Sequence, residues 1–447
     1  MSPIFIFSPG FVRGVRETSL LTASGSVMFI FQSPGGNSGL MFSALRIRDF
    51  RVLWLGTLLS FVAFFMAMIV QGVVAFQIAG TNSAVGTVVF AQGLGMGVLG
   101  PFGGAFADRW PKRRVVACGQ ITAAAVFVTT AALIYTENIT IPLLTLSAFL
   151  IGVTLAFLGP ARQGLVVELV PSERRGNAMA INTVANTGSR VFGPVVAGFL
   201  LGWEFSGAVG AYLVMALFYT GSALSLLLLP PSRVRPGARA SHVLADVADG
   251  FRYVWGYPRL RLLVFFFALV IFSGFPHVTV LPGLAENVFH RSADQVSELF
   301  LASAVGALVA SVWVVRFGDS VHADLVYACM AAIFGVGLLG VGWAPSYPWV
   351  LLGMFGVGVG SGGFQSLNGA VIARETEPHY IGRVMSLALL AFAGFGVMAL
   401  PYGILADRIG ERLTLVVMGS IVFVLTLFFS TLLIREGAIR LPRGRRS

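Results

Sequence analysis

Residues 52–78 read VLWLGTLLSFVAFFMAMIVQGVVAFQI, a run without one charged side chain. A helix crosses the hydrocarbon core of a bilayer with about 20 mostly apolar residues, and this run is long enough to do so. Working outward from it, similar runs occupy roughly 84–107, 114–136, 140–165, 178–201 and 208–229. After a polar break come six more, at roughly 262–285, 297–317, 324–344, 349–373, 384–406 and 413–434. The runs are continuous instead of alternating, which excludes a β-barrel. The expectation is an all-α integral membrane fold: twelve transmembrane helices in two pseudo-symmetric six-helix bundles. Its parts are an N-terminal extension, 1–41, expected to be disordered, a bundle over 42–230, a cytoplasmic linker over 231–261, a second bundle over 262–435 and a basic tail over 436–447.

Composition agrees. Of 447 residues 56% are hydrophobic and 11% charged, with mean hydropathy +0.86. A soluble domain carries about 25% charged residues, so a set of soluble enzyme domains is excluded. The net charge of +11 would ordinarily raise nucleic acid as a partner. Position decides otherwise. With the amino terminus inside, only Arg291, Arg408 and Arg412 reach the outer face, and Arg162 and Arg190 lie within spans. All the other basic residues share the inner face, which sets both termini in the cytoplasm and assigns the excess to membrane topology. No nucleic-acid partner is expected. The only lysine is Lys112, and Cys118 and Cys329 lack the spacing of a metal or redox pair. Within the linker, residues 245–255 place apolar side chains at helical spacing, which predicts an amphipathic helix lying on the membrane.

The halves are related. Phe106 and Asp108 recur as Phe317 and Asp319, Ala117-Cys118 as Ala328-Cys329, Glu168 and Pro171 as Glu375 and Pro378, and Gly176 and Met179 as Gly382 and Met385, all at nearly one offset. Two parallel six-helix repeats suit a rocker with a central cavity.

Gly104-Ala105-Phe106-Ala107-Asp108-Arg109-Trp110-Pro111-Lys112-Arg113-Arg114 resembles the G-x-L-A-D-R-x-G-R-K/R signature of the major facilitator superfamily, with Pro111 where glycine is usual. The stretches 159–178 and 186–198 resemble the branch of that superfamily containing enterobactin exporters and macrolide efflux proteins. Ser189, Gly193, Pro194, Ala197 and Gly198 approximate its antiporter motif, with serine and alanine replacing two glycines. The resemblance covers about 42–435. It implies a conformational latch made by Gly104, Asp108, Arg109, Lys112, Arg113 and Arg114, and it implies export. Asp407-Arg408-Ile409-Gly410 repeats the latch between the last two spans, on the outer face.

Ionisable residues inside spans are costly and are candidates for coupling or gating. Those inside spans are Arg162, Arg190 and His277, and Glu168, Arg374 and Glu375 at the ends of spans join them as candidates. Arg190 is expected to meet an anionic substrate or to hold Glu168, and Arg162 with Glu168 to form a gate near the cytoplasm. Arg374-Glu375 would be the second-half equivalent, and His277 is expected to be a satisfied buried histidine. Gln71, Gln77, Asn186, Gln365 and Asn368 are cavity candidates. No G-x-x-x-x-G-K-S/T loop is present and the five histidines are scattered, so neither a nucleotide, a cofactor nor a metal is expected. The expected function is export of a small, partly apolar molecule, drug- or siderophore-like, by a monomer in the inner membrane of a bacterium. A transmembrane proton gradient is expected to drive it. The alternatives are an uptake symporter or lipid transporter of the same fold, or, in a different class, a membrane-embedded sensor or enzyme.

Overall fold

The computed structural model describes residues 43–203, 206–232, 243–292, 295–314, 317, 320, 322–377 and 379–435. Around 104–109, and at scattered positions of the helices, only the backbone is described. The expected extension, residues 233–242 of the linker, the basic tail and the residues Arg316, Asp319 and Pro378 therefore lie outside it, as do the side chains of Asp108 and Arg109.

Every regular element among the described residues is helical. Six long helices come first: α1 Arg48–Ala79, α2 Asn82–Arg109, α3 Lys112–Tyr135, α4 Ile141–Leu169, α5 Arg175–Leu201 and α6 Gly207–Leu227. Six follow the break: α7 Pro258–Gly274, α8 Val296–Val314, α9 Ala323–Gly342, α10 Tyr347–Arg374, α11 Ile381–Ile409 and α12 Glu411–Arg435. Among the described residues ten helices are long and apolar enough to cross a membrane; α5 and α11 are not among those ten. For α5 the reason is in its sequence, since Asn177, Asn182, Asn186, Ser189 and Arg190 dilute its apolar face.

Between helices the chain turns tightly. Gly80 sits at φ 64°, its N–H bonded to the Phe76 carbonyl, and closes α1 two residues before α2 begins. Gly410, at φ 88°, is the only residue between α11 and α12, a conformation that costs any other side chain steric strain. Past Gly274, α7 changes character: Phe275–Thr279 is a 3₁₀ turn and Leu284–Val288 a π turn, with Pro276 and Pro282 removing backbone donors on the way.

The same neighbours recur in each half. Helices α2 and α4, α3 and α4, α3 and α6, and α1 and α5 pack together, and so do α8 and α10, α9 and α10, α9 and α12, and α7 and α11. The packing repeats to the residue. A Cβ on Gly95 of α2 would stand 2.6 Å from the Phe149 carbonyl of α4, and one on Gly306 of α8 would collide with the Phe355 carbonyl of α10. Small residues let backbones touch where no apolar drive exists between lipid and side chain. Across the halves α2 meets α11 and α5 meets α8.

The linker helix, Val243–Gly256, covers the stretch expected to be amphipathic. Val254 is buried, while Phe251 and Trp255 are about half exposed. Tyr253 stacks on Tyr380 at 4.0 Å and receives the Glu377 N–H, and Tyr257 donates to Glu377 at 3.2 Å. The Glu377 carboxylate pushes the Tyr257 hydroxyl above its usual range, so it stays a donor. These contacts fasten the linker to the start of α11. The end of the molecule that holds it is called the linker face below, and the opposite end the far face.

Candidate functional site

Charges gather in three places. On the linker face of the first half, Lys112 at the start of α3 donates to Glu168 at the end of α4 (2.8 Å), and Ser232 donates to the same carboxylate (2.6 Å). Arg113 reaches the Leu229 and Leu227 carbonyls, satisfying the end of α6. Glu168 thus pairs with neither of its expected partners. Arg162 lies six residues before it on α4, about 240° round the helix, and Arg190 lies roughly 22 Å along α5 from the linker face.

In the second half Asp324, 1% exposed at the start of α9, receives Arg259 (2.8 Å) and Arg374 (2.7 Å). Glu375 lies 3.2 and 3.4 Å from the same two arginines. Arg374 and Glu375 do belong to one network, but its centre is Asp324. Neither Asp324 nor Arg259 stood out in the sequence.

The third place is the far face. The backbone N–H groups of Asn82 and Ser83, the first residues of α2, donate to Asp407 (2.7 and 3.0 Å). Those donors have no partner within their own helix, and the positive end of its dipole favours a carboxylate there. The Asn82 side chain donates to Glu411 (3.0 Å), which also receives Asn287 (2.7 Å). Below this seal α2 and α11 pack closely: a Cβ on Gly86 would lie 2.7 Å from the Ala399 carbonyl, and one on Gly396 2.6 Å from Gly93.

A cavity of about 230 Å³ lies toward the linker face of the first half, lined by Phe61, Gln163, Met179, Asn182, Thr183 and Asn186. Four of these fall at i, i+3, i+4 and i+7 on α5, one face of a helix. Arg190 continues that face one turn beyond Asn186. Its guanidinium lies over Phe65, 5.5 Å from the ring centre. Arg162, 7% exposed, lies over Phe61 at 5.0 Å and donates to the Ser60 hydroxyl (2.8 Å); its Nε has no partner among the described residues. Neither arginine forms an ion pair among the described residues. A charged side chain at mid-membrane depth costs about 2.5–3.5 kcal/mol on an insertion scale. A ring face returns part of that.

The other candidates scatter. Ser189, Gly193, Pro194 and Ala197 are buried, and Gly198 is partly so. Gly193 sits where a Cβ would stand 2.5 Å from Phe65, so the small residues of this motif let α5 cross α1. Gln71 is buried with Nε2 unpartnered among the described residues. Gln77 is exposed in the last turn of α1 and is not among the residues lining the cavity beside α5. Gln365 is half-buried, and the Asn368 carbonyl oxygen is taken by the buried Tyr327 hydroxyl (3.0 Å). His277 is buried, its Nδ1 2.9 Å from the Gly274 carbonyl in the broken stretch after α7. Gln163, Asn182 and Thr183 were missed in the sequence, although the polar stripe on α5 was there to be read.

The profile of the Major Facilitator Superfamily matches residues 53–392. The chain is 22% identical over 387 residues to macrolide efflux protein A of Streptococcus pyogenes, covering 83% of this chain and 93% of that one. It is 24% identical over 350 residues to the staphyloferrin A transporter of Staphylococcus aureus (strain NCTC 8325 / PS 47), covering 77% and 86%. Among solved structures it resembles a mutant of the nucleoside transporter NupG, with TM-score 0.69 at 14% identity over 86% of this chain and 99% of that one.

Proposed function

The chain belongs to the Major Facilitator Superfamily, and on that footing we propose that it exports a small molecule from the cell by alternating access, with protons entering in exchange. Its relatives and structural neighbours are transporters and not enzymes. The cavity is placed for loading from inside. It lies toward the linker face, while Asp407 and Glu411 hold the far face shut on α2. The basic residues on the linker face support a cytoplasmic setting for that face. An exporter loads from there, as an importer of the same fold unloads there; the observation that carries export is the likeness to the efflux protein. The efflux protein matched over 83% of the chain and the small-residue motif of α5 support the same direction. The reading includes a bacterial inner membrane, both termini inside, and a monomer as the working unit.

Direction of flux tests it. Everted membrane vesicles from cells expressing the chain, acidified inside, are expected to accumulate cargo from a panel of siderophores and drugs and to lose that uptake with a protonophore. Accumulation confined to right-side-out vesicles would instead establish the uptake symporter of the same fold. No gradient-dependent movement in either orientation would remove proton exchange from the reading.

A further inference from the structure

Resting on the reading of the cavity as a cargo site, the charge around it identifies a class of cargo. Phe61 and Phe65 are one turn apart on α1, roughly 6 Å along the axis. Each carries an arginine over its ring, Arg162 from α4 and Arg190 from α5. Phe61 is also a wall of the cavity, Gln163 follows Arg162, and Asn186 stands one turn before Arg190. The two cations therefore stand beside residues of the cavity wall on two helices, neither of them lining the cavity itself. Carboxylates of other clusters are engaged there: Glu168 with Lys112, Asp324 and Glu375 with Arg259 and Arg374, Asp407 and Glu411 with α2. Among the described residues no acid lines the cavity. Its other polar walls are amides and a hydroxyl, and its apolar walls are Phe61 and Met179.

We infer that the cargo is an organic oxyanion, a carboxylate or a phosphate ester, received between Arg162 and Arg190. A guanidinium presents paired donors matching either group in a bidentate fork, and the unpartnered Nε of Arg162 is one such donor. Gln163, Asn182, Thr183 and Asn186 bond the polar body of the ligand. The bound anion supplies the neutralising charge that the protein withholds, so cargo binding relieves the desolvation of two arginines at once.

The test uses the purified full chain in detergent, with melting temperature followed against citrate, glycerol 3-phosphate and ethidium at matched ionic strength. A ligand that binds the folded state raises the melting temperature with its concentration. Saturable stabilisation is expected from citrate or glycerol 3-phosphate and none from ethidium, and the stronger of the two anions tells carboxylate from phosphate. Arg190→Gln is expected to weaken that binding at least tenfold, and Arg190→Lys less. Should Arg162→Gln fail to fold, Asn186→Leu, expected to weaken binding severalfold, reads the same cavity. Stabilisation by ethidium and by neither anion overturns the inference. So does silence of both anions at millimolar concentration, or anion binding unchanged in Arg190→Gln. Anion binding without flux in vesicles would remove export and leave the oxyanion site; efflux of a cationic dye without anion binding would do the reverse.

Discussion

On the linker face of the first half, Lys112 begins α3 and meets Glu168 at the end of α4; in the second half, Asp324 begins α9 and meets Arg374 at the end of α10. The place of the contact is repeated and its sign is reversed. Attraction between two charges is indifferent to such a swap, but the helices are not. A helix start favours an acid and a helix end a base, each by roughly 0.3–1 kcal/mol. Asp324 and Arg374 stand with their helix dipoles, Lys112 and Glu168 against them. The second pair is also buried on its acidic side and doubled by Arg259. The second half is therefore the firmer of the two at this face, and the repeat preserves geometry more strictly than chemistry.

The largest effect that tests this difference is expected from Asp324→Asn, which strands two arginines. Breaking a buried pair costs 3–5 kcal/mol, and because both arginines are about one-third exposed the loss is placed at roughly 3 kcal/mol. Glu168→Gln is expected to cost about 1 kcal/mol or less. Thermal unfolding in one detergent compares them, and equal losses would erase the distinction. Next come Gly95→Ala and Gly306→Ala. Both set a methyl group against a backbone carbonyl, so each is expected to cost roughly 1–3 kcal/mol by overpacking. A silent Gly95→Ala beside a damaging Gly306→Ala would show that the repeat in packing is only apparent.

A smaller effect separates the two latch sequences. Asp407→Asn removes the charged cap of α2, worth roughly 1 kcal/mol, and is expected to speed hydrogen exchange at the Asn82 and Ser83 amides about fivefold. Asp108→Asn, on the other loop, is expected to leave those amides unchanged while impairing transport without loss of membrane insertion. The smallest is the swap itself. Lys112→Glu combined with Glu168→Lys aligns the first pair with its dipoles and is expected to match or exceed the parent in stability by up to about 1 kcal/mol. Marked destabilisation of the double variant would show that Ser232, which bonds Glu168, fixes the sign.

Ten of the twelve spans and the linker helix were legible because they depend on properties summed over many residues, namely hydropathy and helical period. The family was legible from a short motif of unusual composition. Pairing between helices was not. A sequence tells which residues share a face of one helix, but the partner of Glu168 depends on how α3 and α4 are rotated about each other. Lys112 won because both ends meet at the same level. Asp324 was hidden because the repeat shows in the sequence where residues are identical, and here the charge had changed sides. The rings under Arg162 and Arg190 were hidden by abundance, since Phe61 and Phe65 are two among 38 phenylalanines.

One asparagine gives the far face its mechanical temper. The N–H of Asn82, that of Ser83 and the Asn82 amide all end on Asp407 and Glu411, two carboxylates separated by a single turn pinned at Gly410. Because the donors are consecutive and the acceptors share one stiff corner, drawing α11 away from α2 frees them together. The seal behaves as a clasp: it resists small strains with its full strength and then lets go at a threshold, so that cargo crosses a door with two positions and no ajar.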